Sequence, residues 1–199
     1  MASPARARKT VVVASRNPHK LAEVRRVLAA ENISVEPLPD GTELPPEEGE
    51  TFAENALPKA RTAAAATDRP SIADDSGIEA EALGGSPGVR SARYAGLAAT
   101  DEENLEKLMR EAPAGSRLRY VCAIAYVHPG TGEERLFIGE CRGRLAGERR
   151  GSRGFGYDPV FIPEEHGQDR TMAELTDEEK DAISHRGVAL RSFARWLAQ

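Results

Sequence analysis

A β-branched run breaks directly into a capped helix at Lys9-Thr-Val-Val-Val-Ala14 and Ser15-Arg16-Asn17-Pro18, and no other stretch restricts the fold as much. The continuous apolar run reads as a buried strand. Asn17 suits the N-cap and Pro18 the first helical turn, with Leu21, Val24 and Leu28 lining one helix face. Ile33–Pro37 reads as a second strand, and residues 39–50, PDGTELPPEEGE, as an acidic loop rich in Pro and Gly. Thr51-Phe-Ala-Glu54 has capping-box spacing and opens a helix running to about Thr67. Ser71-Ile72-Ala73 then starts a strand that ends at Asp74-Asp75.

The second half reads differently. Residues 84–96 read as an ordered loop, and Thr100-Asp-Glu-Glu103 caps a helix with Leu105, Leu108 and Met109 inward. Tyr120–Val127 and Arg135–Cys141 form a hairpin around His128-Pro-Gly-Thr-Gly132. A Gly- and Arg-rich stretch follows at 142–156, then a short helix from Thr176 and an amphipathic helix over 186–198. Strands alternating with helices, followed by a hairpin, predict an α/β fold with a mixed sheet. A chain of 199 residues fits one domain or one domain of two lobes.

Charge narrows the function. A net charge of -5 argues against wholesale nucleic-acid binding. It is compatible with a small polyanion neutralised locally by a few lysines and a divalent cation. No apolar run approaches a membrane span, and the basic MASPARARK is followed by no apolar signal core. A cytoplasmic protein is expected, with Cys122 and Cys141 as buried reduced thiols.

Five polar clusters could carry chemistry. In Ser15-Arg16-Asn17-Pro18-His19-Lys20, a helix N-terminus, side-chain donors and a lysine suit an anion; the same residues suit an ordinary cap with a surface lysine. Asp74 and Asp75 side by side repel each other unless a cation sits between them and a polyphosphate, although Asp, Ser and Gly also make plain turns. Glu47, Glu48 and Glu50 offer a further metal ligand or a solvated loop. Phe155, Gly156, Tyr157 and Asp158 offer a ring to stack on a flat base and a carboxylate to accept from it; Phe155 equally suits a core plug. Ser184-His185-Arg186, with Lys180 a turn earlier, supplies donors suited to a purine O6 edge or a capped, solvated basic pair.

Taken in order, SxNxxK at 15–20, TFAENALPKA at 51–60, ADDSGIEAEALGGSPGVRSARYAG at 73–96, GFGYDPVF at 154–161 and ELTDEEKDAISHRGVAL at 174–190 resemble the inosine/xanthosine triphosphate pyrophosphatase family. The resemblance runs from about Thr10 to Arg191 and implies a mixed-sheet domain of two lobes with a central cleft over 10–199, after a flexible segment 1–9. It implies Mg²⁺-dependent cleavage of ITP, dITP or XTP to the monophosphate and pyrophosphate. Carried onto this sequence, Asp75 is the catalytic carboxylate and metal ligand, with Glu47 or Glu48 as the loop ligand. Ser15 through Lys20 and Lys59 face the phosphates, and Ser76 touches substrate. Phe155–Asp158 hold the base, and Lys180, His185 and Arg186 match the family's remaining base-side and substrate-binding positions. A homodimer is implied as well. Arg16 stands where relatives often have Gly, and EEGETF departs from the usual EETGxTF. Rival readings are a related pyrophosphatase acting on pyrimidine or modified nucleotides, an RNA-binding module using the Arg-rich stretch, and a structural protein whose polar loops are only turns.

Overall fold

The computed structural model describes residues 9–199. Of the segment 1–9, residues 1–8 therefore lie outside the described residues, and Lys9 is the first residue of a strand. Six strands form one sheet in the order β2-β1-β3-β4-β5-β6. They are β1 (Lys9–Val13), β2 (Ile33–Pro37), β3 (Ser71–Ala80), β4 (Arg117–His128), β5 (Glu133–Leu145) and β6 (Phe161–Pro163). β2 and β3 run parallel to β1, whereas β3, β4, β5 and β6 alternate antiparallel. The mixed α/β sheet expected from the sequence is the observed architecture.

Five α-helices flank it: α1 (Pro18–Ala30), α2 (Phe52–Thr67), α3 (Asp101–Glu111), α4 (Asp177–Ile183) and α5 (His185–Leu197). Capping boxes at Thr51/Glu54, Thr100/Glu103 and Thr176/Glu179 start α2, α3 and α4, each satisfying otherwise orphaned amides. α1 and α5 bury Val24, Leu28, Leu190 and Phe193 against Val11, Val13, Ile72 and Ile124 on one sheet face. The alanines of α2 pack on Val12, Ala14, Ala73 and Ala123 on the other. A separate cluster around Ile78, Leu108, Tyr120, Phe161 and Leu175 fills the far half, giving two lobes on one continuous sheet.

Five elements differ from expectation. β3 does not end at the Asp pair but continues to Ala80, because β4 pairs with it at every residue from Ser71 to Ala80. The hairpin strands are likewise longer, and the start of the 142–156 stretch belongs to β5. Gly88–Arg93 forms a 3₁₀ helix within the expected loop, and the short β6 follows the Tyr157-Asp158-Pro159 turn.

The register creates the cleft. β1 pairs with β3 only at Ser71 and Ile72. β3 therefore projects past the end of β1 and has a free edge where Asp74, Asp75 and Ser76 sit. Side chains from both sheet faces reach the same opening, the usual location of a ligand beyond the carboxyl ends of parallel strands.

Candidate active site

That opening is a cleft of about 510 Å³. The site positions singled out in the sequence line it, Glu47 and Asp75 included, except Pro18, His19, Glu48, Glu50 and Ser184. Pro18 is the first residue of α1. His19 instead stacks on Phe155, with ring centroids 5.2 Å apart and an interplanar angle of 15°.

The two aspartates have opposite surroundings because neighbouring strand residues point to opposite faces. Asp74 faces α1 and α5. It accepts from Arg186 Nε at 2.9 Å, Cys122 Sγ at 3.0 Å and Ser76 Oγ at 3.2 Å, and pairs with Lys20. Burial alone would raise its pKa, but Arg186 and Lys20 hold it well below the usual range. Asp75 faces α2. It accepts from Asn55 Nδ2 at 3.0 Å and lies 3.8 Å from Lys59 Nζ. Burial outweighs Lys59 and Lys20 here and lifts its pKa to about 6. One carboxylate is thus saturated with partners, whereas the other has countercharge too weak to offset its burial.

Lys59 Nζ donates to Glu47 Oε1 and to the Asp74 carbonyl, both at 2.7 Å. Glu47 is further held by Arg93, 3.6 Å away, and its own pKa is lowered by Lys59 against the opposing effect of burial. Asp75 and Glu47 are hard oxygen donors bracketing one ammonium, a donor set that fits a hard divalent cation. Among the described residues no group of three or more His, Cys, Asp or Glu side chains forms a metal cluster. Two carboxylates completed by substrate and water oxygens is the habit of Mg²⁺.

At the β1–α1 turn the helix amides are not free. Asn17 Oδ1 accepts from His19 N at 2.9 Å and Lys20 N at 3.1 Å, and Asn17 N donates to Ser15 Oγ. The cap uses up the donors that a bare helix terminus would offer an anion, leaving the Lys20 ammonium at the cleft as the cation. Arg16 reaches away, donating to the carbonyls of Pro39 and Thr42 at 2.8 and 3.1 Å.

At the other end, Asp158 accepts from Phe155 N at 2.9 Å and pairs with Lys180. Gly154, at φ +72°, is required there, since a Cβ would lie 2.1 Å from Asp158 Oδ2. Tyr157 is a core residue whose hydroxyl donates to the Ser91 carbonyl at 2.8 Å. Gly156 N donates to Asp101 Oδ2 at 3.0 Å. Phe155 is the ring left facing the cleft, with Lys180 Nζ 5.0 Å from its centroid.

His185 stacks on Tyr120 at 4.5 Å, and its buried Nδ1 has no hydrogen-bond partner among the described residues. Burial and the adjacent Arg186 keep the imidazole neutral. Arg186 is not the solvated base expected of an isolated Ser-His-Arg run. It is 2% exposed, with its guanidinium committed to Asp74, Glu23 and Ser76.

Sequence reasoning missed Glu23, Asn55, Tyr120 and Arg93. Glu23 binds Arg186 and, at 2.7 Å, Lys180. A signal was present for two of them. Glu23 sits on the stripe of Val24, Val27 and Leu28, and Asn55 on that of Phe52, Ala56 and Ala60. A polar residue on an apolar helical stripe needs a buried partner.

Residues 11–196 match the Ham1 family. A dITP/XTP pyrophosphatase of Frankia alni is 52% identical over 95% of this chain and 97% of its own length. One from Cutibacterium acnes is 48% identical over 92% and 93%. The solved structure of a HAM1 protein from Coxiella burnetii superposes with a TM-score of 0.84 at 40% identity, covering 96% of this chain and 98% of that one. With the family model spanning nearly the whole length and a solved member sharing the fold, the chain belongs to the Ham1 family.

Proposed function

We propose that this chain hydrolyses the non-standard purine nucleoside triphosphates ITP, dITP and XTP to the monophosphate and pyrophosphate. The observation that carries the reading is Asp75, a buried carboxylate short of countercharge, facing one cleft with Lys20 and Lys59. The names of the relatives support the same substrate class.

Asp75 and Glu47 would hold Mg²⁺, which when bound supplies positive charge against the triphosphate and the departing pyrophosphate. Lys20 and Lys59 exchange their present carboxylate partners for phosphate oxygens. Asp75 orients a water and takes its proton as the oxygen attacks the α-phosphorus. The bond from the α-phosphorus to the bridging oxygen breaks, and that electron pair leaves with pyrophosphate.

At the far end Phe155 offers its ring to the base. Lys180 and His185, both lining that end of the cleft, offer donors to a 6-carbonyl, which adenine lacks. Arg186 fixes Asp74, Ser76 and Glu23 around them. A cytoplasmic homodimer is inferred from the family resemblance.

The test is a panel of ITP, dITP, XTP, ATP, GTP, UTP and dTTP with Mg²⁺, detecting pyrophosphate and orthophosphate separately. Expected is pyrophosphate from ITP and XTP, with ATP slower by at least about 100-fold, as polar readout allows. Stepwise orthophosphate, or ATP cleaved as fast as ITP, overturns the proposal; UTP outrunning ITP favours a pyrimidine-directed enzyme.

A further inference from the structure

We propose that Asn55 is a positioning residue that ties Asp75 to the loop carrying Glu47, so that the two carboxylates meet a divalent cation as a unit. The inference rests on the metal-assisted reading above. Asn55 is 3% exposed, and both ends of its amide are used. Its Nδ2 donates to Asp75 Oδ2 at 3.0 Å, and its Oδ1 accepts from Gly49 N at 2.7 Å.

The orientation is fixed by chemistry. A backbone N–H can only donate, so it must meet the amide oxygen; the NH₂ then faces the carboxylate, which can only accept. A flipped amide would set donor against donor at Gly49 and acceptor against acceptor at Asp75.

The consequences differ at the two ends. At Asp75 the bond occupies Oδ2 and leaves Oδ1 as the oxygen nearer Lys59. At Gly49 it anchors the loop two residues after Glu47, whose carboxylate holds the same Lys59 ammonium. Asn55 itself is on α2, one helical turn before Lys59. One rigid helix therefore presents the cation that now bridges the two carboxylates and the amide that holds them in place. The approach at Gly49 is close: a Cβ there would lie 2.8 Å from Asn55 Oδ1 and 2.6 Å from Glu54 Cβ. Gly49 admits the contact because it has no side chain.

The experiment is calorimetric titration of the full chain with magnesium chloride without nucleotide, for wild type, Asn55→Ala and Gly49→Ala, with thermal midpoints measured alongside. The same variants are then assayed for pyrophosphate release from ITP against Mg²⁺ concentration. Loss of an outer partner of a metal ligand costs about 10- to 100-fold in metal affinity or activity. Expected in Asn55→Ala is weakening of that size in the Mg²⁺ constant, in both formats. Expected too is a fall in kcat with KM for ITP little changed at saturating Mg²⁺. Gly49→Ala, which keeps the amide but pushes on it from the loop, moves the constants the same way and covers the case of an unfolded Asn55→Ala.

A Mg²⁺ constant unchanged in both variants, with only the thermal midpoint lowered, overturns the proposal, since a purely structural amide would act that way. A wild type whose Mg²⁺ affinity depends on Asn55 but which releases no pyrophosphate from ITP sinks the pyrophosphatase reading and supports the role of Asn55.

Discussion

At the scale of single residues, the site turns on an inequality between two adjacent carboxylates. Asp74 has bound countercharge enough to stay ionised, whereas Asp75 is held at a pKa of about 6 mainly by burial. A carboxyl whose pKa is raised on folding favours the protonated form, so above that pKa its charge costs stability. The displacement from 3.8 to about 6 corresponds to a cost on the order of 3 kcal/mol at neutral pH. Asp75→Asn removes that charge and keeps an oxygen to accept from Asn55. It is expected to raise the thermal midpoint by roughly 6–12 °C at pH 8 without divalent cation, as about 3 kcal/mol does in a chain this size. Turnover of ITP should fall by at least about 100-fold in the same protein, the usual cost of losing a charge-stabilising group. Calorimetry and the pyrophosphate assay check both halves. A destabilised Asp75→Asn, or one that retains turnover, contradicts the assignment. The sequence marked the pair and the resemblance chose Asp75; which aspartate has too little countercharge was not legible, because Arg186, 112 residues away, decides it.

Among elements, the buried ion network joins α1, α4, α5 and β3 through Glu23, Lys180, Arg186 and Asp74. Burial would raise Glu23, but Arg186 and Lys180 bring its pKa down to about 2 from 4.5. A depressed carboxylate contributes stability that is fully present above its unfolded pKa and lost as pH falls through the folded one. The window here runs from about 4.5 down to about 2. Glu23→Gln should lower the thermal midpoint by about 10 °C at pH 7, since breaking a buried pair costs roughly 3–5 kcal/mol. The gap to wild type should close as pH falls from 4.5 towards 2. A gap of constant size across that range would mean that packing, not charge, is what the substitution removes. The elements themselves were largely legible: the Thr-x-x-Glu boxes are local, and three of them start helices where expected. The end of β3 was not, because Asp-Asp-Ser-Gly has turn chemistry and only pairing with β4 along its whole length overrides it.

For the whole molecule, coverage of the sheet is uneven. α2 packs over β3 and β4 on one face, and α5 over β4 and β5 on the other. β5 therefore buries Phe137 against Phe193 and Trp196 on its α5 side. Its opposite face shows Leu136 at 46% exposed and Ile138 at 49%. Two apolar side chains two residues apart share one face of a strand. The charges beside them are already matched within the chain, Arg61 with Glu134 and Arg119 with Glu140. An apolar patch flanked by charges that are paired within the chain suits the self-complementary surface of a two-fold dimer. We infer that the homodimer expected from the family uses this face of β5. Sedimentation equilibrium should give twice the mass of one chain. Ile138→Lys should shift it to one chain, because it would put an unpaired charge into the apolar patch that the second copy must cover. A wild-type mass of one chain would sink the dimer, and a doubled mass that survives Ile138→Lys would move the interface off β5. Nothing in the alternation of residues 133–145 distinguishes a face awaiting a partner from a solvated one; the contrast emerges only when α2 is seen to pack on β3 and β4 and to meet β5 at the Arg61–Glu134 ion pair.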